Sequence, residues 1–126
     1  MCKELGVQLI SYSPLSLGAL TGKYDEKNLP SGARGLLFRS LLPKLRPLLE
    51  VLKEVSIRRK KSMSQVAINW CICKGTIPIP GARDLSQAKE NIGAMGWQLS
   101  TSEISALDDA SDLVQKARFE NVFMTR

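Results

Sequence analysis

The chain has 126 residues, 44% of them apolar and 24% charged, with a net charge of +6 and no histidine. That length suits one domain or part of a larger one, and the balance is ordinary for a globular protein. The missing histidine excludes a Ser/His/Asp hydrolase, a Cys/His protease and most zinc hydrolases, which leaves Tyr, Lys, Asp, Glu or Cys for any proton transfer.

No apolar run reaches the roughly 18 residues that a membrane-crossing helix needs. The opening MCKELG has neither the apolar core of a signal peptide nor the character of a transit peptide. Either the protein stays where it is made, or its true N-terminus lies upstream. The cysteines are Cys2, Cys71 and Cys73; Cys71 and Cys73 stand two apart, which is neither a redox nor a metal-ligand spacing, so they are expected as a buried, reduced thiol pair in an intracellular setting.

In chain order, residues 7–12 (VQLISY) read as a strand, with Val7, Leu9 and Ile10 apolar. The loop that follows, punctuated by Gly18, Gly22, Pro30, Gly32 and Gly35, is long for a simple connection. Leu45, Leu48, Leu49, Leu52 and Val55 then recur at helical spacing up to about Arg59. Proline is tolerated only ahead of a helix or in its first turn, so regular helix is expected from near Pro47, with Pro43 before it. The RRKK run, Arg58 to Lys61, falls where cations complement the helix dipole and stay solvated. A nucleic-acid surface would want interleaved aromatics or a groove-reading motif, and neither is present.

A second helix is expected from near Ser64 to the breaker Gly75. It is apolar nearly all round and should be well buried. TIPIPG reads as a short strand in which Pro78 and Pro80 limit pairing. Asp84 three before Gln87 opens a helix to about Ile92, and Ser100 three before Glu103 opens a short one over Ile104 to Ala110. The tail, DLVQKARFENVFMTR, has apolar residues without a clean period and is expected to lie over other parts of a larger body. Strands alternating with helices indicate a parallel sheet with helical crossovers. Two strands alone cannot make such a sheet stable, so the chain reads as a piece of a bigger α/β fold.

Two stretches carry ligand-binding character. In GARDLSQAKEN, Gly81 allows close backbone approach, and Arg83 sets a cation ahead of a helix N-terminus. Gln87, Glu90 and Asn91 lie toward the same side, so a phosphate joined to a hydrogen-bonding heterocycle would suit them. The same residues also fit a capped helix with solvated polar side chains. In SYSPLSLGALTGKY, Tyr12 ends the strand, where its ring could stack on a flat heterocycle. Ser13 and the backbone through Leu17 could line a pyrophosphate, with Lys23 and Arg34 adding cations. A core tyrosine and a solvated lysine would equally explain that stretch alone.

Together these stretches, with the QVAINW helix between them, resemble the last third of an aldo-keto reductase over about residues 4–110. The resemblance implies the C-terminal part of a (β/α)8 TIM barrel, its seventh and eighth strands with their helices, and NADPH as cofactor for reducing a small aldehyde or ketone. By that resemblance Tyr12 stacks on the nicotinamide, and Ser13, Pro14, Leu15, Ser16 and Leu17 surround the pyrophosphate. Lys23 and Arg34 belong to the loop that closes over it. Gly81, Arg83, Gln87, Glu90 and Asn91 hold the adenosine and its 2′-phosphate, where Arg83 favours NADPH over NADH. QVAINWCICKG, LLF and NVFMTR are more narrowly similar to plant chloroplast members that reduce the aldehyde of pyridoxal.

The family's proton chemistry uses an Asp, a Tyr, a Lys and usually a His, none of which has a match here, and Tyr12 and Tyr24 fall at cofactor positions instead. The chain is therefore expected to grip a cofactor without a catalytic centre of its own. Three origins fit: a piece of an active reductase, a non-catalytic short isoform, or a basic helical module that acts through a protein partner. Open barrel edges predict weakly cooperative unfolding and association with other chains. No metal site, nucleic acid or membrane partner is expected.

Overall fold

In the computed structural model, which describes residues 4–114, two short strands pair in parallel, one helix packs against them and three more helices pack around that one. The strands are β1 (Ile10–Tyr12) and β2 (Ile77–Ile79), in register Ile10↔Ile77, Ser11↔Pro78 and Tyr12↔Ile79. The parallel pairing agrees with the strand–helix alternation, although β1 is shorter than the apolar run from Val7 implied. The chain beyond 114, which carries most of the aperiodic tail, lies outside the described residues, as does Cys2.

Between the strands run a 3₁₀ segment (Ser16–Thr21), α1 (Ala33–Arg59) and α2 (Met63–Cys73). After β2 come α3 (Leu85–Ile92) and α4 (Thr101–Leu113). The largest departure from expectation is α1, which starts at Ala33 instead of near Pro47 and carries Pro43 and Pro47 inside it. Each internal proline costs about 3 kcal/mol through a lost hydrogen bond and a clash with the preceding turn. Phe38, Leu41, Leu42 and Leu45 are all buried upstream of Pro47, and burying such side chains stabilises by roughly 1.5–3 kcal/mol each. Packing wins over propensity. Pro43 itself is exposed, so the missing donor lies on the solvent side.

The core joins Phe38, Leu52 and Val55 of α1 to Val66 and Ala67 of α2 and Leu107 and Ala110 of α4. At Gly35 a Cβ would strike the Pro30 carbonyl oxygen, which fixes how closely the loop approaches the first turn of α1. The Ser62 side chain and Gln65 form a reciprocal capping box at the start of α2, a signature that places its first turn at Met63. Within α2, Asn69 is 1% exposed, yet all its polar atoms are used. Its Nδ2 donates to the Ala94 and Trp97 carbonyls at 2.9 and 2.8 Å, and its Oδ1 accepts from Leu99 N at 3.2 Å. One buried amide thus ties the α3–α4 connection to α2. Cys71 and Cys73 are free thiols but only partly buried, because their end of α2 nears the surface. Burial pushes the Cys71 thiol up from its ordinary value.

The RRKK run is not simply solvated. Arg59 makes a bidentate pair with Glu103 of α4, Nε to Oε1 at 3.0 Å and Nη2 to Oε2 at 2.5 Å. Arg58 adds a longer contact at 3.7 Å, Lys60 is the left-handed C-cap, and Lys61 lies over the Trp97 ring at 5.6 Å. Glu103 is 3% exposed. The Arg59 guanidinium holds its carboxyl down at about 2, helped by Ser100 and opposed by burial.

The partly buried face of the sheet is the one that carries Ser11 and Pro78, and α2 packs against β2; Ser11 Oγ bonds Thr76 Oγ1 at 2.6 Å. On the other face Ile10, Tyr12, Ile77 and Ile79 are 61%, 68%, 51% and 54% exposed.

Candidate cofactor-binding site

Because β1 and β2 are parallel and Tyr12 pairs with Ile79, the segments after both strands leave the sheet at the same end. This brings residues 13–24 beside residues 80–91 although they are far apart in sequence. Between them lies a groove of about 600 Å³, within the usual range for small-molecule sites. Ser13, Pro14, Leu15, Leu17, Lys23 and Arg34 line it from one side, and Gly81, Arg83, Gln87, Glu90 and Asn91 from the other. Eleven of the thirteen residues singled out in the sequence therefore meet around one space.

Tyr12 and Ser16 are the two that do not line it. Tyr12 stands next to the groove, at the end of β1 on the open face of the sheet. Ser16 has its backbone turned into the loop, with its N–H donating to the Ser13 carbonyl at 2.9 Å.

The first segment holds an unusual backbone. Ser13, Ser16 and Leu17 have φ of 48°, 48° and 57°, a left-handed conformation that side chains disfavour. Gly18 continues it at φ 97°, where glycine carries no such cost. The Leu15 carbonyl accepts from Gly18 N at 2.9 Å and from Leu20 N at 3.2 Å, which locks the turn. Strained non-glycine residues clustered at one loop are a mark of binding sites, where the surroundings hold a pre-formed shape.

The second segment is tied to α3. Asp84 caps the helix by accepting from Gln87 N at 2.8 Å, while Gln87 Oε1 accepts from Arg83 N at 3.0 Å. Only half of the capping box forms, since Gln87 reaches back to Arg83 instead of Asp84. Asn91 Nδ2 donates to the Gly81 carbonyl at 3.1 Å, and Gln65 Nε2 donates to the Glu90 carbonyl at 3.1 Å. Asp84 already takes one of the first-turn amides, so attraction for an anion falls mainly to the Arg83 side chain. That guanidinium is exposed and has no hydrogen bond or ion pair among the described residues. A Cβ at Gly81 would meet nothing within 4 Å, so the loop is open on that side.

Arg34 lies in the first turn of α1 instead of in a loop, a consequence of the early helix start. Its Nη2 donates to the Tyr24 hydroxyl at 2.8 Å, and its guanidinium lies over the Tyr24 and Phe38 rings at 5.3 and 5.7 Å. Lys23 Nζ lies over the same Tyr24 ring at 5.6 Å. The groove thus gathers three cations, Lys23, Arg34 and Arg83, against the one carboxylate of Glu90. Its field favours an anion.

Thr21 and Ser64 also line the groove and were not singled out in the sequence, whereas Tyr24, placed at a cofactor position only by the family resemblance, lines it too. The Ser62–Gln65 capping box would have placed Ser64 in the first turn of α2. What the sequence did not show for Tyr24 is its partners, Arg34 and Phe38, which come from α1.

The sequence model of the Aldo/keto reductase family matches residues 1–112. Pyridoxal reductase, chloroplastic, of Arabidopsis thaliana is 53% identical over all 126 residues, which correspond to 34% of its length. Among solved structures, glycerol dehydrogenase from Gluconobacter oxydans superposes with a TM-score of 0.78 at 23% identity, covering 98% of this chain and 40% of that one. A Bombyx mori aldo-keto reductase in complex with NADP superposes with a TM-score of 0.58 at 22% identity, covering 86% and 30%. The chain spans about a third of the length of the curated relatives it matches, and its fold is part of a (β/α)8 barrel.

Proposed function

This chain belongs to the aldo/keto reductase family, and from that premise we propose that it is the cofactor-gripping end of an NADPH-dependent reductase. The observation that supports this most is the groove at the shared end of β1 and β2, lined by the cations Lys23, Arg34 and Arg83 and by a single carboxylate, Glu90. NADPH carries negative charge on its pyrophosphate and on the 2′-phosphate, and it supplies a hydride when bound. In this reading Tyr12 stacks on the nicotinamide and the strained turn from Ser13 to Leu17 lies along the pyrophosphate, with Lys23 and Arg34 over it. Gly81, Arg83, Gln87, Glu90 and Asn91 hold the adenosine end, where Arg83 meets the 2′-phosphate through charge-assisted hydrogen bonds. None of these residues is assigned to proton transfer, which the reading leaves to chain outside these residues.

For the whole enzyme we propose an aldehyde substrate, with pyridoxal favoured by the 53% identity to the Arabidopsis reductase and a chloroplast location by the same likeness. A second reading, a non-catalytic chain that works through a protein partner, draws on the exposed apolar face of the sheet.

Fluorescence titration separates the two. Arg83→Ala is expected to weaken NADPH binding roughly tenfold, the scale of one hydrogen bond to a charged group, and to leave NADH binding nearly unchanged. No binding by the unaltered chain at millimolar NADPH would overturn the cofactor reading.

A further inference from the structure

Arg34 differs from the ion-pairing cations of α1. Arg46 pairs with Glu26, and Arg59 with Glu103. Arg34 is half-buried, yet among the described residues it has no carboxylate partner. What holds it is neutral: the Tyr24 hydroxyl at 2.8 Å and the faces of Tyr24 and Phe38. Aromatic faces and a phenol oxygen fix a guanidinium in place without cancelling its charge.

Tyr24 is itself well anchored. Its ring meets the buried Phe38 ring edge-on, with centroids 5.5 Å apart and planes at 81°. A Cβ at Gly18 would lie 3.8 Å from Tyr24 Cε2, so the ring also abuts the strained turn. The same ring lies under Lys23. One side chain therefore touches both cations on this side of the groove and the turn between β1 and α1.

We infer that Tyr24 is a positioning residue that presents Arg34, and secondarily Lys23, as uncompensated charges to an anionic group in the groove. This rests on the cofactor reading for the identity of that group, the NADPH pyrophosphate. A free guanidinium would sample many rotamers and lose entropy on binding, whereas one already held loses less. The hydroxyl contributes direction, and the ring contributes support.

The test compares Tyr24→Phe, which keeps the ring and the Phe38 contact, with the unaltered chain in NADPH titration. Tyr24→Phe is expected to weaken binding about three- to tenfold, the scale of one hydrogen bond, with an unchanged melting temperature. In an Arg34→Ala background the same change is expected to have no further effect. The Arg34 side-chain Nε–H resonance should be ordered in the unaltered chain and should lose order in Tyr24→Phe, with or without NADPH. Unchanged affinity, or losses that add in the double variant, would overturn the role of Tyr24. Failure of the unaltered chain to bind NADPH would instead overturn the cofactor reading, and the role of Tyr24 toward the pyrophosphate with it.

Discussion

At the scale of single residues, the site depends on conformations that side chains ordinarily avoid. Leu17 holds φ 57° and ψ 20° although its side chain is largely exposed, so no core packing accounts for the choice. Left-handed backbone costs a non-glycine residue about 1–2 kcal/mol. Leu17→Gly is therefore expected to raise stability by about 1 kcal/mol, reduced by the entropy that glycine adds to the unfolded chain. It should weaken NADPH binding at the same time, because a glycine turn is no longer held in shape. Thermal melting and NADPH titration of that variant check the two effects together. Arg83 could be picked out at this scale because a cation ahead of a helix N-terminus suits an anion, and it lines the groove. The contacts of Tyr24 with Arg34 and Phe38 could not be, since helix packing alone sets those neighbours.

At the scale of elements, the caps were the most legible feature and α1 the least. Asp84 and Ser100 accept from Gln87 N and Glu103 N, as the spacing implied. The sequence could not show that Glu103 also reaches across to Arg59 and so joins α4 to the end of α1. That pair makes stability depend on pH. The Glu103 carboxyl titrates at about 2 in the folded chain and near 4.5 ordinarily, so the folded state favours its charged form. Its contribution is complete above the ordinary value and is lost as pH falls through that window. Asp108 is shifted the same way, by Lys74 and then Trp70, and adds to the slope. Glu103→Gln is expected to lower the melting temperature at neutral pH and to flatten its fall between about pH 5 and 2. A slope equal to that of the unaltered chain would show that the pair does not govern the acid transition.

At the scale of the whole molecule, one face of the sheet carries Ile10, Tyr12, Ile77 and Ile79 in the open, with the pair's outer edges unpaired among the described residues. In the solved neighbours this chain corresponds to 30–40% of a larger fold. The helical core of α1, α2 and α4 should hold together better than the strands, which gain few buried contacts. The chain alone is expected to unfold in a broad, weakly cooperative transition, to bind an apolar dye before melting, and to self-associate. A sharp monomeric transition without dye binding would contradict this. Ile77→Lys should reduce dye binding and self-association with a stability change within about 0.5 kcal/mol, since the side chain is already exposed.

The sequence by itself determined the element order, the parallel arrangement, the caps and eleven of the residues around the groove. The elements and the Asp84 and Ser100 caps follow from local chemistry, namely alternation, helical period and cap spacing, whereas the groove residues were assembled as a set by the resemblance to the family. Tertiary structure alone decided that α1 runs through two prolines, that Asn69 and Glu103 serve as buried ties, and that Arg34 stands beside Tyr24 without a counter-charge. Those outcomes depend on burial and on partners distant in the chain, and a local pattern carries no record of either.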